Sequence, residues 1–219
     1  MSIQRQTLRE QIEAEIMNRV SAGDFGMGDS INEVALSVEL GVSRTPLREA
    51  LISLSQQGVI SRVSGKGFRW APIGAQDFQE AVQIIAALES LALTLTPAEY
   101  LAKIAPQLVE QAREFTASVS SAQEIHDHDD AFHALLTSGS PNKRLAEGIA
   151  SYKLALRRYE RLYVGNTDLM ERAAAEHETI SEALQAGDVP AAIEALKDNW
   201  YNSVPRIISA LRGSVPVRG

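Results

Sequence analysis

The run Gly41-Val42-Ser43-Arg44-Thr45-Pro46-Leu47-Arg48-Glu49-Ala50-Leu51 constrains this chain more than any other stretch. Gly41 ends whatever helix precedes it. Ser43 suits an N-cap, because its hydroxyl can accept from the free N–H groups of a first helical turn. Pro46 then falls in that turn, where a missing N–H costs nothing. Leu47, Ala50, Leu51 and Leu54 keep the i, i+3, i+4, i+7 spacing of a buried helix face. Arg44 and Arg48 share the opposite face, with Thr45 beside them. A helix with its back in a core and a cationic N-terminal end outward has the shape needed to enter a DNA major groove. On an arbitrary helix the same arginines are a solvated face, so the flanking segments must decide.

They favour DNA. Leu8, Ile12, Ile16 and Val20 recur at i+4, predicting a helix over about residues 6–21 that Gly23, Gly26 and Gly28 close. Asn32 caps a second helix, roughly 33–40, whose apolar residues are Val34, Ala35, Val38 and Leu40. Helix, short glycine turn, helix is the helix-turn-helix pattern. The third helix runs to about Gln57, with Gly58 as its C-cap. Two short β-type segments follow, Val59–Val63 and Gly67–Ala71, joined by Ser64-Gly65-Lys66 as a hairpin tip. A basic hairpin directly after a recognition helix is a wing, and Lys66 with Arg62 or Arg69 can reach phosphates or a minor groove.

Charge supports this, although the whole chain carries −7. Residues 1–74 hold eight basic and eight acidic residues, so the deficit lies entirely in 75–219. Within 43–70, Arg44, Arg48, Arg62, Lys66 and Arg69 face a single acid, Glu49. A local basic face is enough for phosphate contacts. There are no cysteines, which excludes a disulfide scaffold and a thiolate zinc site and suits a reducing cytoplasm. No run of about eighteen apolar residues predicts a membrane span, and Met1–Glu10 lacks a signal-peptide apolar region.

Pro72 and Gly74 put a domain boundary near residue 74, dividing a winged helix-turn-helix (1–74) from an all-α bundle (75–219). The fold class is therefore mainly α. The second part reads as helices over about 77–95, 97–118, 122–137, 142–163, 167–186 and 189–212, the last bent near Pro205. The tail from Ser214 to Gly219 is expected to fray. All four histidines lie in this part. Asp129 and His133, i and i+4, can point together into the bundle, while His126 and His128 sit in an acidic run read as surface.

Residues 20–71 resemble the DNA-binding domain of GntR-type bacterial transcription regulators. The pattern runs through Gly28, Glu33, the Gly41–Leu51 stretch, Leu54, Gly58 and Gly65-Lys66-Gly67. The remainder resembles the FadR-type subfamily with its FCD ligand-binding domain. Its carriers are Leu88-Glu89, Asp129 to His133, Asn142 with Leu145, and Glu176 to Ile180 followed by Ala183 to Asp188. The resemblance implies a homodimer whose winged helices bind a palindromic operator under control of a small effector. Ser43, Arg44, Thr45 and Arg48 match the family's DNA-contacting positions, and Ser64, Gly65 and Lys66 match its wing tip. Val34 stands where some members have an arginine, which shifts the phosphate contacts onto the remaining residues.

Many FCD domains hold a divalent metal through an aspartate, the histidine four residues on, and two further histidines. The first three map to Asp129, His133 and His177, but the fourth position is Asn199. An amide oxygen is a poorer ligand for zinc or nickel than imidazole. Either Asn199, water or the effector completes a zinc or nickel site, or Asp129, His133 and His177 form a polar pocket or a bland buried cluster without metal. Ile85 stands where metal-binding members carry an arginine that holds a carboxylate ligand. Arg157 and Arg158 are the substitutes for anchoring an organic or sugar acid, unless both are surface charges. Tyr152 and Asn199 complete the expected effector set.

The leading expectation is a ligand-responsive transcription regulator, a repressor, and not an enzyme. Two other readings stand beside it: a metal-dependent hydrolase using Asp129, His133 and His177, and an architectural DNA binder with a degenerate sensor. No His-Glu-x-x-His spacing, nucleophile elbow or phosphate loop supports the hydrolase.

Overall fold

The computed structural model of the chain describes residues 7–117, 122–162 and 167–214. It divides into two compact units, Met1–Ile73 and Gly74–Gly219. Residues 118–121 and 163–166, where the sequence places links between helices, and the tail beyond Ser214 lie outside the described residues, as do the side chains of Ile125 and His126.

The first unit holds α1 (Leu8–Ala22), α2 (Glu33–Glu39), α3 (Arg44–Gln56), β1 (Ile60–Val63) and β2 (Gly67–Trp70). Thr7 and Glu10 form a reciprocal capping box at the start of α1, and Gly23 ends it at φ 82°. Asn32 Oδ1 accepts from both Val34 N and Ala35 N at 3.1 Å. Ser43 occupies the N-cap position of α3, yet its hydroxyl makes no cap bond; only its carbonyl receives Leu47 N. The hydroxyl is therefore left at the exposed tip of the helix. Leu47, Ala50, Leu51 and Leu54 are fully buried, with Ile16, Met17 and Val20 of α1 and with Phe68 and Trp70 of the hairpin.

Val34 and Val38 are 55% and 76% exposed, while Leu36 and Ser37 are the buried residues of α2. Val34 and Val38 each lie two residues, about 200°, from Leu36 around the helix, so packing on Leu36 turns both outward. The segment read as loop also extends the wing. Ile31 N donates to Phe68 O at 2.8 Å, Trp70 N to Asp29 O at 2.9 Å, and Ser30 bridges Arg69, so a third strand-like edge flanks β2. On its other side β2 pairs antiparallel with β1, Ile60 opposite Trp70 and Val63 opposite Gly67.

The second unit contains α4 (Ala75–Leu95), α5 (Ala98–Ala117), α6 (Ala122–Thr137), α7 (Lys143–Leu156), a 3-10 segment (Arg157–Leu162), α8 (Thr167–Gln185) and α9 (Val189–Ser214). Helix α4 packs on α9 and α7, α5 on α8 and α6, and α8 on α9. Leu93, Leu101, Leu108, Phe132, Leu136, Ile180, Leu184 and Leu196 form the core. Helix α4 is long and apolar enough by composition to cross a membrane, with mean hydropathy 1.3, but it carries Glu89 at 0% exposure in its interior. Phe78, Val82, Ile85 and Leu93 of this helix are buried, whereas Ile84, Leu91 and Leu95 remain exposed.

The helix expected over 142–163 stops at Leu156 and tightens to 3-10 geometry. The cause is a set of contacts reaching back to the start of α4. Arg158 pairs with Asp77, and Tyr159 Oη lies 2.7 Å from Asp77 Oδ2 while accepting from Gly74 N at 3.1 Å. The Tyr159 ring is buried against Phe78, centroids 4.7 Å apart. Pro205 sits inside α9, whose helical span continues through it to Ser214.

Candidate DNA-reading surface and effector site

In the first unit Ser43, Arg44, Thr45 and Arg48 are all exposed at the N-terminal end of α3. Arg62, Ser64, Gly65 and Lys66 of the wing are exposed too. Arg48 and the wing residues line one groove of about 780 Å³, whose remaining walls are Glu33, Val63, Gly67 and Phe68. The wing tip bends through Gly65 at φ 71°, a conformation costly for any residue with a Cβ.

Arg48 does not hang free in that groove. Its Nη1 lies 3.3 Å from Glu33 Oε2, and its guanidinium lies 6.0 Å from the Phe68 ring centroid. Glu33 retains 14% of its side-chain exposure, and a Cβ at Gly67 would come within 3.3 Å of its Oε1. Sequence reasoning singled out Glu33 only as part of a family pattern. No local spacing shows that it orients Arg48.

In the second unit the structure brings Asp129, His133 and His177 together, each offering a ligand atom within 4.8 Å of the others. Asp129 Oδ1 lies 3.5 Å from His177 Nε2 and 3.8 Å from His133 Nε2. The helical i, i+4 spacing puts Asp129 and His133 on one face of α6, and α8 brings His177 against them. Phe132 stacks on the His177 ring, centroids 4.0 Å apart at 8°. Both histidines are buried.

Three more residues complete the surroundings, of which the sequence marked Glu89 as part of the family pattern but not Lys153 or Trp200. Glu89 of α4 takes His133 Nδ1 and the Trp200 indole N–H on the same Oε2, each at 2.7 Å. This leaves His133 Nε2 aimed at Asp129, the arrangement in which an outer carboxylate orients a metal-binding imidazole. Lys153 of α7 lies 3.3 Å from Asp129 Oδ2 and 2.8 Å from Asp130 Oδ1. Charge and burial act together on these groups. Burial, helped by His133 and Lys153 and opposed by Asp129, pushes the His177 pKa down to about 3. Burial pushes Asp129 up, but Lys153, His133 and His177 outweigh it and hold the carboxyl below its ordinary value. Burial pulls Lys153 down, but Asp129, Asp130 and Glu89 hold its ammonium above the ordinary lysine range.

Asn199, on α9, is held by a neighbouring carboxylate. Its Nδ2 donates to Glu176 Oε2 at 3.2 Å, and Glu176 is paired with Arg206 as well. Arg158 is likewise committed, being 5% exposed and paired with Asp77. Arg157 and Tyr152 are half-buried, and His128 is half-buried rather than at the surface. Ile85 is fully buried in α4, so no cation replaces the expected arginine at that position.

The model of bacterial regulatory proteins of the gntR family matches residues 8–69, and that of the FCD domain matches residues 80–200. The chain is a GntR-family transcription regulator. An HTH-type transcriptional regulator in an unstable DNA locus of Streptomyces ambofaciens is 30% identical over 92% of this chain and 86% of its own length. The probable D-xylose utilization operon transcriptional repressor of Paenarthrobacter nicotinovorans is 27% identical over 88% and 85%. The solved structure of Escherichia coli McbR/YncC shares the fold, with TM-score 0.76 at 20% identity over 94% of this chain and all of that one. GntR regulators of this type bind DNA through the N-terminal unit and an effector through the FCD unit, and they are not enzymes, which sets the hydrolase reading aside.

Proposed function

We propose that this GntR regulator is a homodimeric repressor that reads a palindromic operator with Ser43, Arg44, Thr45 and Arg48 of α3 and Ser64, Gly65 and Lys66 of the wing. The single observation carrying this is the common groove: Arg48, Arg62 and Lys66 converge on one exposed face, with Arg48 held ready by Glu33. Arginine in the major groove reads guanine edges, and the wing cations neutralise phosphates. Residues 1–74 act as the DNA-binding domain and 75–219 as the effector-binding and dimerisation domain. Ile84, Leu91 and Leu95 are exposed on α4 at i, i+7 and i+11, an apolar stripe suited to a second copy.

The effector domain takes a zinc or nickel ion on Asp129, His133 and His177. The donor set fits: two imidazoles and a carboxylate oxygen meet, with Glu89 orienting one imidazole. The metal, when bound, supplies a Lewis-acidic position for an oxyanion. The Asn199 amide nitrogen is engaged by Glu176, and the remaining coordination position is for water or effector. A small organic or sugar acid is the effector class. Tyr152 and Arg157, both half-buried, line its pocket, and Arg158 is tied to Asp77. Effector binding shifts the balance between DNA-competent and incompetent arrangements of the dimer. The site of action is cytoplasmic.

A band-shift assay on the DNA beside its own gene tests this. We expect salt-sensitive, sequence-preferring binding that Arg48→Ala weakens, with loss of sequence preference. Binding with no sequence preference, unchanged in Arg48→Ala, overturns the proposal.

A further inference from the structure

Asp129 is a shared carboxylate. Its Oδ1 faces Nε2 of both His133 and His177, while its Oδ2 lies 3.3 Å from Lys153 Nζ. The same ammonium lies 2.8 Å from Asp130 Oδ1 and 5.8 Å from the Trp200 ring centroid. Lys153 keeps only 14% of its side-chain exposure. Its place is fixed from several sides, because Trp200 is itself anchored to Glu89 and Glu89 to His133. Helices α4, α6, α7 and α9 thus close a ring in which one protein cation already serves the carboxylate that a metal ion needs.

Two physical consequences follow. A carboxylate partly neutralised by an ammonium is a weaker donor to a second cation. An ion at the trio must also sit near a fixed positive charge in half-buried surroundings, where screening by water and salt is poor. Outer partners that support metal ligands are worth roughly ten- to hundredfold in affinity, and a cation competing for a ligand acts in the opposite direction.

We propose that Lys153 is a resident counter-cation that sets the divalent-metal affinity of the Asp129–His133–His177 site, keeping any bound ion exchangeable. This rests on the reading of that trio as a metal site. It adds a determinant of affinity that lies outside the ligand set and belongs to this chain's own α7.

The test is calorimetric titration of Ni²⁺ and of Zn²⁺ into chelator-stripped full-length protein, for wild type, Lys153→Met and Lys153→Arg. Lys153→Met is expected to bind roughly ten- to hundredfold tighter than wild type. Lys153→Arg, which keeps the charge, is expected to stay near wild type. Measurable binding only in Lys153→Met also supports the proposal. Equal or weaker binding in Lys153→Met overturns it and leaves the metal reading standing. No binding by any of the three proteins overturns both. A second measurement needs no variant to fold. The chain has five lysines, Lys66, Lys103, Lys143, Lys153 and Lys197, so the side-chain signals of ¹³C-labelled lysine are few. Zinc should move the Lys153 signal, and an unmoved signal while zinc binds overturns the proposal.

Discussion

Glu33 Oε2 lies 3.3 Å from Arg48 Nη1, so a carboxylate on α2 holds the guanidinium of α3 at the mouth of the basic groove. The pair is half exposed on the arginine side, so its worth to stability is small, at most about 1 kcal/mol. Its consequence is orientation.

Glu33→Gln removes a negative charge near DNA and releases Arg48. Non-specific DNA affinity should rise, while discrimination between operator and random sequence should fall by about threefold or more. Band shifts with and without competitor DNA measure both. Unchanged discrimination would show that Arg48 needs no such support.

Arg48 and Lys66 should fail differently. Arg48→Ala should cost about 1–3 kcal/mol of operator affinity and relax the base preference at its position. Lys66→Ala should weaken all sequences alike and lower the slope of log affinity against log salt by about one. Salt titrations of both variants separate the two behaviours.

Phe132 is 1% exposed in the bundle core and stacks on His177. Phe132→Ala should destabilise the second unit by about 3–5 kcal/mol, from lost burial plus the cavity left behind. Urea unfolding followed by far-ultraviolet circular dichroism reads this.

Acid should destabilise the metal-free protein through His177. Its pKa falls from 6.5 to about 3 on folding. The unfolded chain therefore takes up a proton below pH 6.5 that the folded chain refuses until near pH 3, so stability is complete above 6.5 and drains away across that window. Asp129 acts in the same sense, since its lowered pKa stabilises the fold at neutral pH and that contribution is lost in acid. Melting temperatures from pH 7.5 to 4.5 should fall, and His177→Phe should flatten part of the slope. An equal slope in the variant removes His177 as the cause.

Leu91 is 45% exposed between Ile84 and Leu95 on α4. Leu91→Glu should convert a dimer to monomer at micromolar concentration without lowering helical content. Sedimentation velocity decides it. A wild type that sediments as a monomer, or a variant that still dimerises, moves the interface elsewhere.

Much of this architecture was legible in local pattern. The i, i+3, i+4, i+7 leucines of α3, the glycine turn at Gly41, the hairpin tip at Ser64-Gly65-Lys66 and the Asp129–His133 spacing each declare themselves within a dozen residues, because helix and strand periodicity is a local property. The Ser43 cap was misread in detail, since position alone does not decide whether a hydroxyl turns inward. Which apolar residues α2 buries was not legible either. A seven-residue helix has too few apolar residues for periodicity to say which face meets α3.

The sequence by itself determined a winged helix-turn-helix with a cationic α3, a helical second part, and an aspartate and histidine on one helical face. Only the tertiary structure decided what those groups face. Glu89 reaches His133 across 44 residues and Trp200 across 111. Asn199 donates to Glu176, and Lys153 comes to rest on Asp129. Such partners are set by how helices pack around a common core, and a polar group buried there takes whichever charge the packing brings within reach. No spacing along the chain encodes that meeting.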